Sequence, residues 1–308
     1  MSYLVIGSGS IGRRHHANLT ALGAESRLLP WRGLDLDTLE LDAVTGLVVA
    51  TATPIRLDVI SIAARAGIPL YIEKPLVFRP EDLAEVKTLT KDIAAKSVLG
   101  LMMRYHPAIR YLQADPVDAY SARFVIGHDV RKWRENWVFA DSYAAKPEGG
   151  GVLLDLCHEL DMAHALYPDL ALGAVDCIGH TDFPGVDFAT EVSLSGAGRL
   201  ATVAMDYLAP EGVRRLSLIG REDMVEIDLL SNRGQRWRRG VHENLSWQFE
   251  RNDMFLDLMR DFMALAEGRT PSDTPLLPRL DRVWDSAALT AEAWQARNFR
   301  STIEGGFA

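Results

Sequence analysis

The chain has 308 residues, with 42 acidic and 33 basic side chains for a formal net charge of −9, and 48% of it is hydrophobic. A length of this order suggests about two domains, each able to bury a core, and a composition near the globular mean excludes a wholly disordered, collagen-like or coiled-coil chain. An acidic surface repels phosphate backbones, so no nucleic acid is expected as a partner, although a local basic pocket for a small anion stays open. The apolar start Tyr3-Leu4-Val5-Ile6 runs into glycines without a basic leader or a small-residue cleavage site, so no signal peptide is expected. No run reaches the ~18 apolar residues of a spanning helix, so no membrane partner is expected either. Cys157 and Cys177 cannot build a disulfide framework and read as core thiols of a cytoplasmic protein.

Residues 2–6 read as a short buried strand. Gly7-Ser8-Gly9-Ser10-Ile11-Gly12 follows and opens a helix from Arg13 to Leu22, which Gly23 stops. In a turn of this kind the first glycine makes the bend, the second lets the backbone approach a pyrophosphate and the third lets helix and strand pack closely. N–H groups at the helix start then hold the anion. Gly7, Gly9, Ser10, Ile11 and Gly12 are therefore the expected dinucleotide cradle. The next strand ends near Leu29, where a carboxylate would hold the ribose 2′-hydroxyl of NAD, and the chain has Pro30-Trp31-Arg32 there instead. Arg13 and Arg32 can pair with a 2′-phosphate, so NADP is favoured over NAD, with Asp35 as a late acid that argues the other way.

Too few residues separate Arg32 from the next strand entry, at Asp42, for a full helix and strand, so one βα unit is expected to be reduced or missing. Leu47-Val48-Val49-Ala50 is a strand ending in Thr51 and Thr53-Pro54. A helix from Ile55 to Ala66, a strand Pro69–Ile72, a helix from Pro80 to Lys96 and a strand Val98–Met102 complete an alternation that requires crossovers and hence a parallel sheet. From Arg104 the texture changes. Strand-like segments at 119–127, 174–181, 187–195, 199–207, 213–219 and 223–230 are joined by short turns, which predicts a largely antiparallel sheet, with helices at 152–167, 251–267 and 279–297. The fold class expected is α/β, with a Rossmann domain over 1–102 and an α+β domain over 103–308.

Lys74 stands at the carboxyl end of a parallel strand, where open α/β sheets bind ligands, and is flanked by Glu73 and Pro75. Its ammonium could polarise a substrate hydroxyl or carbonyl, and Pro75, whose preceding bond can be cis, fixes the chain exit and aims the lysine. Gly149-Gly150-Gly151 introduces a helix on which Asp155 and His158 share a face, as do His158 and Asp161. A carboxylate so placed orients an imidazole suited to proton transfer near neutrality; the bland alternative is a histidine that merely satisfies a buried contact. Asp155, His158, Asp161 and His164 also have a helical spacing that metal ligands use, but no strand or loop supplies a completing cluster, so no metal is expected.

Taken in series, Gly7 through His15, Ala50-Thr51-Ala52-Thr53-Pro54, Glu73-Lys74-Pro75 and Gly149 through Asp161 make the chain resemble the Gfo/Idh/MocA family of oxidoreductases. The match runs nearly end to end. The resemblance implies a Rossmann domain, then an α+β domain whose open sheet face builds dimers or tetramers. It implies hydride transfer between NADP or NAD and a carbinol or ketone carbon of a sugar, cyclitol or sugar-nucleotide-like substrate, with Lys74 holding the reacting oxygen and His158 exchanging its proton. It also brings Thr51, Thr53, Pro54, Glu73 and Lys74 to the cofactor. Asp155 joins the catalytic set, and Arg104, Trp133, Arg134, Tyr143 and Asp161 are expected to meet the substrate. Many members carry an Asp four residues before the histidine; here that position is Leu154, and Asp155 stands three before. Asp58 replaces the histidine often found after the Thr-Pro loop. Two other readings share these residues: an NAD(P)-binding sensor without chemistry, and a hydrolase or lyase that uses the nicotinamide transiently.

Overall fold

A computed structural model describes residues 2–132, 138–272, 274–305 and 307. In chain order its main elements are β1 (Ser2–Ile6), α1 (Ser10–Ala21), β2 (Glu25–Leu29), β3 (Val44–Val49), α2 (Arg56–Arg65), β4 (Leu70–Ile72), α3 (Pro80–Thr90) and β5 (Val98–Leu99). There follow α4 (Pro107–Ala114), β6 (Ala119–Asp129), α5 (Val152–Asp155), α6 (His158–Leu166), β7 (Ala171–His180), β8 (Phe183–Gly196), β9 (Arg199–Asp206) and β10 (Leu208–Gly220). The last are β11 (Asp223–Asp228), β12 (Arg233–Arg238), β13 (Val241–Ser246), α7 (Arg251–Ala266), α8 (Trp284–Gln295) and β14 (Asn298–Ile303). They fall into two compact units: Met1–His106 with Phe249–Ala288, and Pro107–Gln248 with Leu289–Ala308.

The first unit is built on a five-stranded parallel sheet in the order β2-β1-β3-β4-β5. Its inner strands are near-continuous apolar runs because both faces are covered: Leu4, Val5 and Ile6 in β1 and Leu47, Val48 and Val49 in β3 are all fully buried. Between β2 and β3 the described chain makes turns in place of a helix, the reduced unit that the short spacing after Arg32 predicts. The edge strand β5 is covered by the segment around Arg279, whose flanking Leu280 N–H donates to Ser97 O while Leu99 N–H donates to Pro278 O.

That covering segment belongs to the part of the chain expected in the second domain. The structure replaces the single boundary at 102 by a break after His106 and a return of residues 249–288 to the first unit. The apolar stripe Met254, Phe255, Leu258, Met259, Phe262 of α7 announces a buried helix, but periodicity does not say which sheet it covers. Side-chain contacts do. Phe262 packs edge-on against Tyr3 and Tyr71, Asn252 Nδ2 donates to Asn18 Oδ1 at 2.9 Å, Tyr3 OH donates to Glu267 Oε1 at 2.7 Å, and Tyr105 OH donates to Asp261 Oδ2 at 2.5 Å. A capping box between Glu250 and Asp253 starts the helix where the chain enters this unit.

The second unit is a nine-stranded sheet in the order β13-β12-β11-β10-β6-β9-β8-β7-β14, antiparallel except for the β6–β9 and β7–β14 pairs. Alternation along β9 buries Ala201, Val203 and Met205 on the face that α5 and α6 cover. β12, β13 and β14 carry polar and charged residues through most of their length and were not expected from the sequence. Arg236, almost fully buried on β12, bonds Asp223 on β11 and Asp115 after α4, so paired charges take the place of an apolar pattern there.

Truncating Phe262 tests whether residues 249–288 are integral to the first unit. Phe262→Ala is expected to lower unfolding stability by about 3–5 kcal/mol, measured by urea denaturation; a loss under ~1 kcal/mol would mean that α7 only rests on the sheet.

Candidate functional site

The first unit supplies a nucleotide cradle. Gly7 N–H donates to Leu29 O, and α1 starts directly beyond the glycine turn. A Cβ on Gly12 would overlap the Gly7 carbonyl oxygen, so no other residue lets helix and strand approach as they do. A Cβ on Gly9 would meet nothing within 4 Å, and the helix has neither a side-chain cap nor an acidic residue in its first turn. The open space at Gly9 and the first-turn N–H groups beyond it, at Ser10 and Ile11, fit a pyrophosphate. Thr51 at the end of β3 is buried, and its Oγ1 has no hydrogen-bond partner among the described residues, which fits a ligand-facing hydroxyl. Thr53 and Pro54 form the short 3₁₀ turn Thr53–Ile55 before α2. Arg13 and Arg32 are exposed; Arg13 Nη1 donates to Ser8 O at 2.6 Å, and Arg32 lies in the loop just after the β2 residue that pairs with Ile6.

Glu73 and Lys74 follow β4, and the Lys74–Pro75 peptide is cis. The buried Glu73 carboxylate takes a 2.7 Å bond from His15 Nε2 on α1 and accepts the Lys74 N–H at 3.2 Å. Burial by itself would raise the Glu73 pKa; the bond and charge of His15, with Lys74 and Arg56, outweigh it and hold the carboxyl below its ordinary value. Lys74 is half-buried. Arg56 is buried and donates to Thr51 O at 2.8 Å, to Glu73 O at 2.6 Å and to Pro75 O. Arg104 is buried in the 3₁₀ turn Met102–Tyr105 of the same unit.

In the second unit the expected helix 152–167 is two helices, α5 and α6, broken at Leu156 and Cys157. The face shared by Asp155 and His158 in one unbroken helix is therefore not the geometry present. Asp155 accepts from Tyr143 OH at 2.6 Å through Oδ1 and from Tyr207 OH at 3.1 Å through Oδ2, and Tyr207 OH is also 3.1 Å from Gly151 O. Burial first, and then the charge of Asp155, push the Tyr207 hydroxyl well above its usual pKa, so it stays protonated and donating. His158 is buried at the start of α6, with Asp161 buried one turn on. Glu159 pairs with Arg214 at 2.6 Å. Trp133 and Arg134 lie outside the described residues. No three His, Cys, Asp or Glu side chains gather as a metal set among the described residues.

Sequence reasoning missed four residues that shape these sites. His15 lies inside a quoted motif, but its bond to Glu73 is invisible without the fold. Arg56 sits in the loop-to-helix junction with no motif of its own. Asp187 on β8, fully buried, accepts from Leu153 N–H at 2.9 Å and pairs with Arg297; a Cβ on Gly151, whose φ is +95°, would overlap its carboxylate. His128 on β6 is half-buried, with its pKa lowered first by burial, against the upward pull of Asp155.

No family model matches the chain. Over 257 residues, 77% of this chain and 77% of the other, it is 25% identical to a UDP-N-acetylglucosamine 3-dehydrogenase of Acidithiobacillus ferrooxidans. The solved structure of that enzyme covers 96% of each chain with a TM-score of 0.77 at 20% identity. A 3-ketoreductase variant from Actinomadura kijaniata, in complex with TDP-benzene and NADP, covers 99% of each chain at 16% identity with a TM-score of 0.74. An inositol dehydrogenase homologue from Azotobacter vinelandii, complexed with NAD+, covers 96% of this chain and 95% of its own at 15% identity, with a TM-score of 0.74. The chain has the fold of the Gfo/Idh/MocA-type oxidoreductases.

The electrostatics of Glu73 give a pH test. Its folded pKa lies below the ordinary 4.5, so its contribution to stability is complete above about that pH and is lost as the pH falls through the folded value. Glu73→Gln is expected to cost about 3–5 kcal/mol near neutrality, as breaking a buried pair does, with the gap to wild type narrowing in acid. Denaturation curves from pH 7 to pH 3 check this; a gap that is constant with pH would mean that the carboxylate charge does not matter.

Proposed function

We propose that the protein is an NAD(P)-dependent oxidoreductase that moves a hydride between the nicotinamide and a carbinol or ketone carbon of a sugar-like substrate, with a nucleotide-linked sugar as the preferred class. The observation that carries this reading is Lys74, held at a parallel strand end beside a buried Glu73–His15 pair in a unit whose glycine turn accepts a pyrophosphate. When bound, the cofactor accepts or supplies the hydride; the protein contributes position and electrostatics. Lys74 donates from its ammonium to the reacting oxygen and stabilises the negative charge that develops on it. His158 takes the hydroxyl proton in oxidation and returns it in reduction. Asp155, held by two tyrosine hydroxyls, keeps a fixed carboxylate ahead of the helix that carries His158. Arg104, Tyr143 and Asp161 bind the substrate, as do Trp133 and Arg134.

NADP is the preferred cofactor, since the loop after β2 offers Arg32 and no carboxylate before Asp35. The relatives support a nicotinamide cofactor of either kind and a sugar or sugar-nucleotide substrate. The protein works in the cytoplasm as a homodimer or homotetramer, the first reading supported by a chain whose two cysteines are too few for a disulfide framework and the second by the family resemblance. No helix among the described residues is long and apolar enough to cross a membrane.

The deciding experiment follows reduced-nicotinamide absorbance with UDP-N-acetylglucosamine, other UDP- and TDP-sugars and myo-inositol against NADP(H) and NAD(H). Lys74→Ala and His158→Asn are expected to lower kcat by at least about 100-fold while NADPH binding, read by its fluorescence, persists. Full turnover by Lys74→Ala would overturn the assignment. Tight cofactor binding with no turnover of any compound would instead indicate a sensor, and product formation without net absorbance change a hydrolase or lyase. Arg32→Ala is expected to weaken NADPH binding by about tenfold, the effect of losing one charge-assisted contact of roughly 1.4 kcal/mol, and to leave NADH binding unchanged; equal weakening of both would remove Arg32 from 2′-phosphate recognition.

A further inference from the structure

We infer that Arg56 is a positioning residue for Lys74: its buried guanidinium grips the carbonyl oxygens on both sides of that lysine and ties them to the neighbouring strand exit. The inference rests on the reading of Lys74 as the group that holds the reacting oxygen. Arg56 is the first residue of α2 and only 3% exposed. One nitrogen, Nη1, donates to Glu73 O at 2.6 Å and to Pro75 O, the carbonyls of the residues immediately before and after Lys74. The other, Nη2, donates to Thr51 O at 2.8 Å, in the loop that leaves β3. A single planar fork thus spans two strand exits. The Thr51 exit carries the buried hydroxyl that fits a cofactor, and the Glu73 exit carries the lysine.

Three carbonyl acceptors and the nearby Glu73 carboxylate offset the cost of taking the guanidinium out of water. A lysine at this position would bring a point charge on a flexible stem, able to satisfy one or two of the carbonyls without holding them in register. The consequence falls on Lys74. Its side chain is long, so a small shift of its backbone is carried to the ammonium at its end. A misplacement of about 1 Å in a reacting group can cost ~100-fold in rate. A guanidinium bonded to backbone oxygens on both exits imposes that hold through the main chain itself.

The test compares wild type, Arg56→Lys, Arg56→Gln and Lys74→Ala, using NADPH as the binding probe and the most active compound of the sugar-nucleotide screen as substrate. Amide hydrogen exchange by mass spectrometry is read over residues 51–54 and 72–78. Arg56→Lys is expected to keep NADPH affinity within about threefold, to lose about 100-fold in kcat with little change in KM, and to exchange faster over 72–78 while exchange in β1 and β3 stays as in wild type. Arg56→Gln, which keeps hydrogen-bond donors and loses the charge, is expected to show the same pattern more strongly. A merely structural role would instead show as a general loss of melting temperature and exchange protection, with kcat per folded molecule unchanged; that result, or wild-type exchange over 72–78, overturns the inference. Lys74→Ala separates the two readings. If it loses turnover while Arg56→Lys keeps wild-type kcat, the oxidoreductase reading stands and the role of Arg56 falls. If Lys74→Ala is fully active, the reading of Lys74 fails and the inference fails with it, whatever Arg56→Lys does.

Discussion

The buried carboxylate of Glu73 is the point on which the first unit turns. A carboxylate taken out of water without a partner costs several kcal/mol, and here the compensation comes from His15 at 2.7 Å, with the Lys74 amide and the charge of Arg56 close by. His15 lies in the helix that starts at the glycine turn, so the bond fixes the nucleotide end of α1 and the exit of β4 relative to each other. The same bond that keeps Glu73 ionised therefore links the place where phosphate fits to the residue proposed to meet the reacting oxygen. Tyr71, fully buried, packs against His15 with ring centroids 4.6 Å apart and the ring planes tilted by 56°.

Steric closeness does for the glycine turn what charge does for Glu73. Gly12 lies so near the Gly7 carbonyl that any side chain would push α1 off the sheet. Gly9, by contrast, opens on space at the uncapped start of the helix. The helix N-terminus carries partial positive charge, and the absence of acidic residues from its first turn leaves that charge for a ligand. The overall charge of −9 and this local preference for an anion coexist because a few oriented N–H groups act over the length of one turn.

The second unit solves a related problem with different groups. The entry to α5 is held by Asp187, which accepts the Leu153 N–H, pairs with Arg297 and accepts from Thr190 Oγ1 at 2.9 Å. Just beyond, Asp155 takes two tyrosine hydroxyls, one from Tyr143 in the loop before the helix and one from Tyr207 at the end of β9. Each carboxylate ties the short helical stretch to strands more than 30 residues away in sequence. His158 begins the next helix, α6, just beyond the break at Leu156 and Cys157, so the histidine follows a segment held by side-chain bonds and not by the regularity of one helix.

The sequence by itself determined the local grammar. Alternating apolar runs and glycine stops placed β1, α1, β3 and β4 and called for a parallel sheet, the shortage of residues after Arg32 predicted a reduced or missing βα unit, and the motifs picked out the glycine turn, Lys74 and His158. These signals are legible because they depend on neighbours within one or two turns of chain. The tertiary structure decided where long-range partners meet. It sent α7 to the parallel sheet, since an apolar stripe specifies burial but not the surface that buries it. It broke the helix at Leu156, where Asp187 and Tyr207 hold the preceding turn, and it found strands in the polar sequences of β12 to β14 by their backbone pairing, with cross-strand ion pairs at Arg236 of β12 and Arg300 of β14. It also gave His15 and Arg56 their roles, because a hydrogen bond to a residue 17 or 58 positions away leaves no period in the sequence.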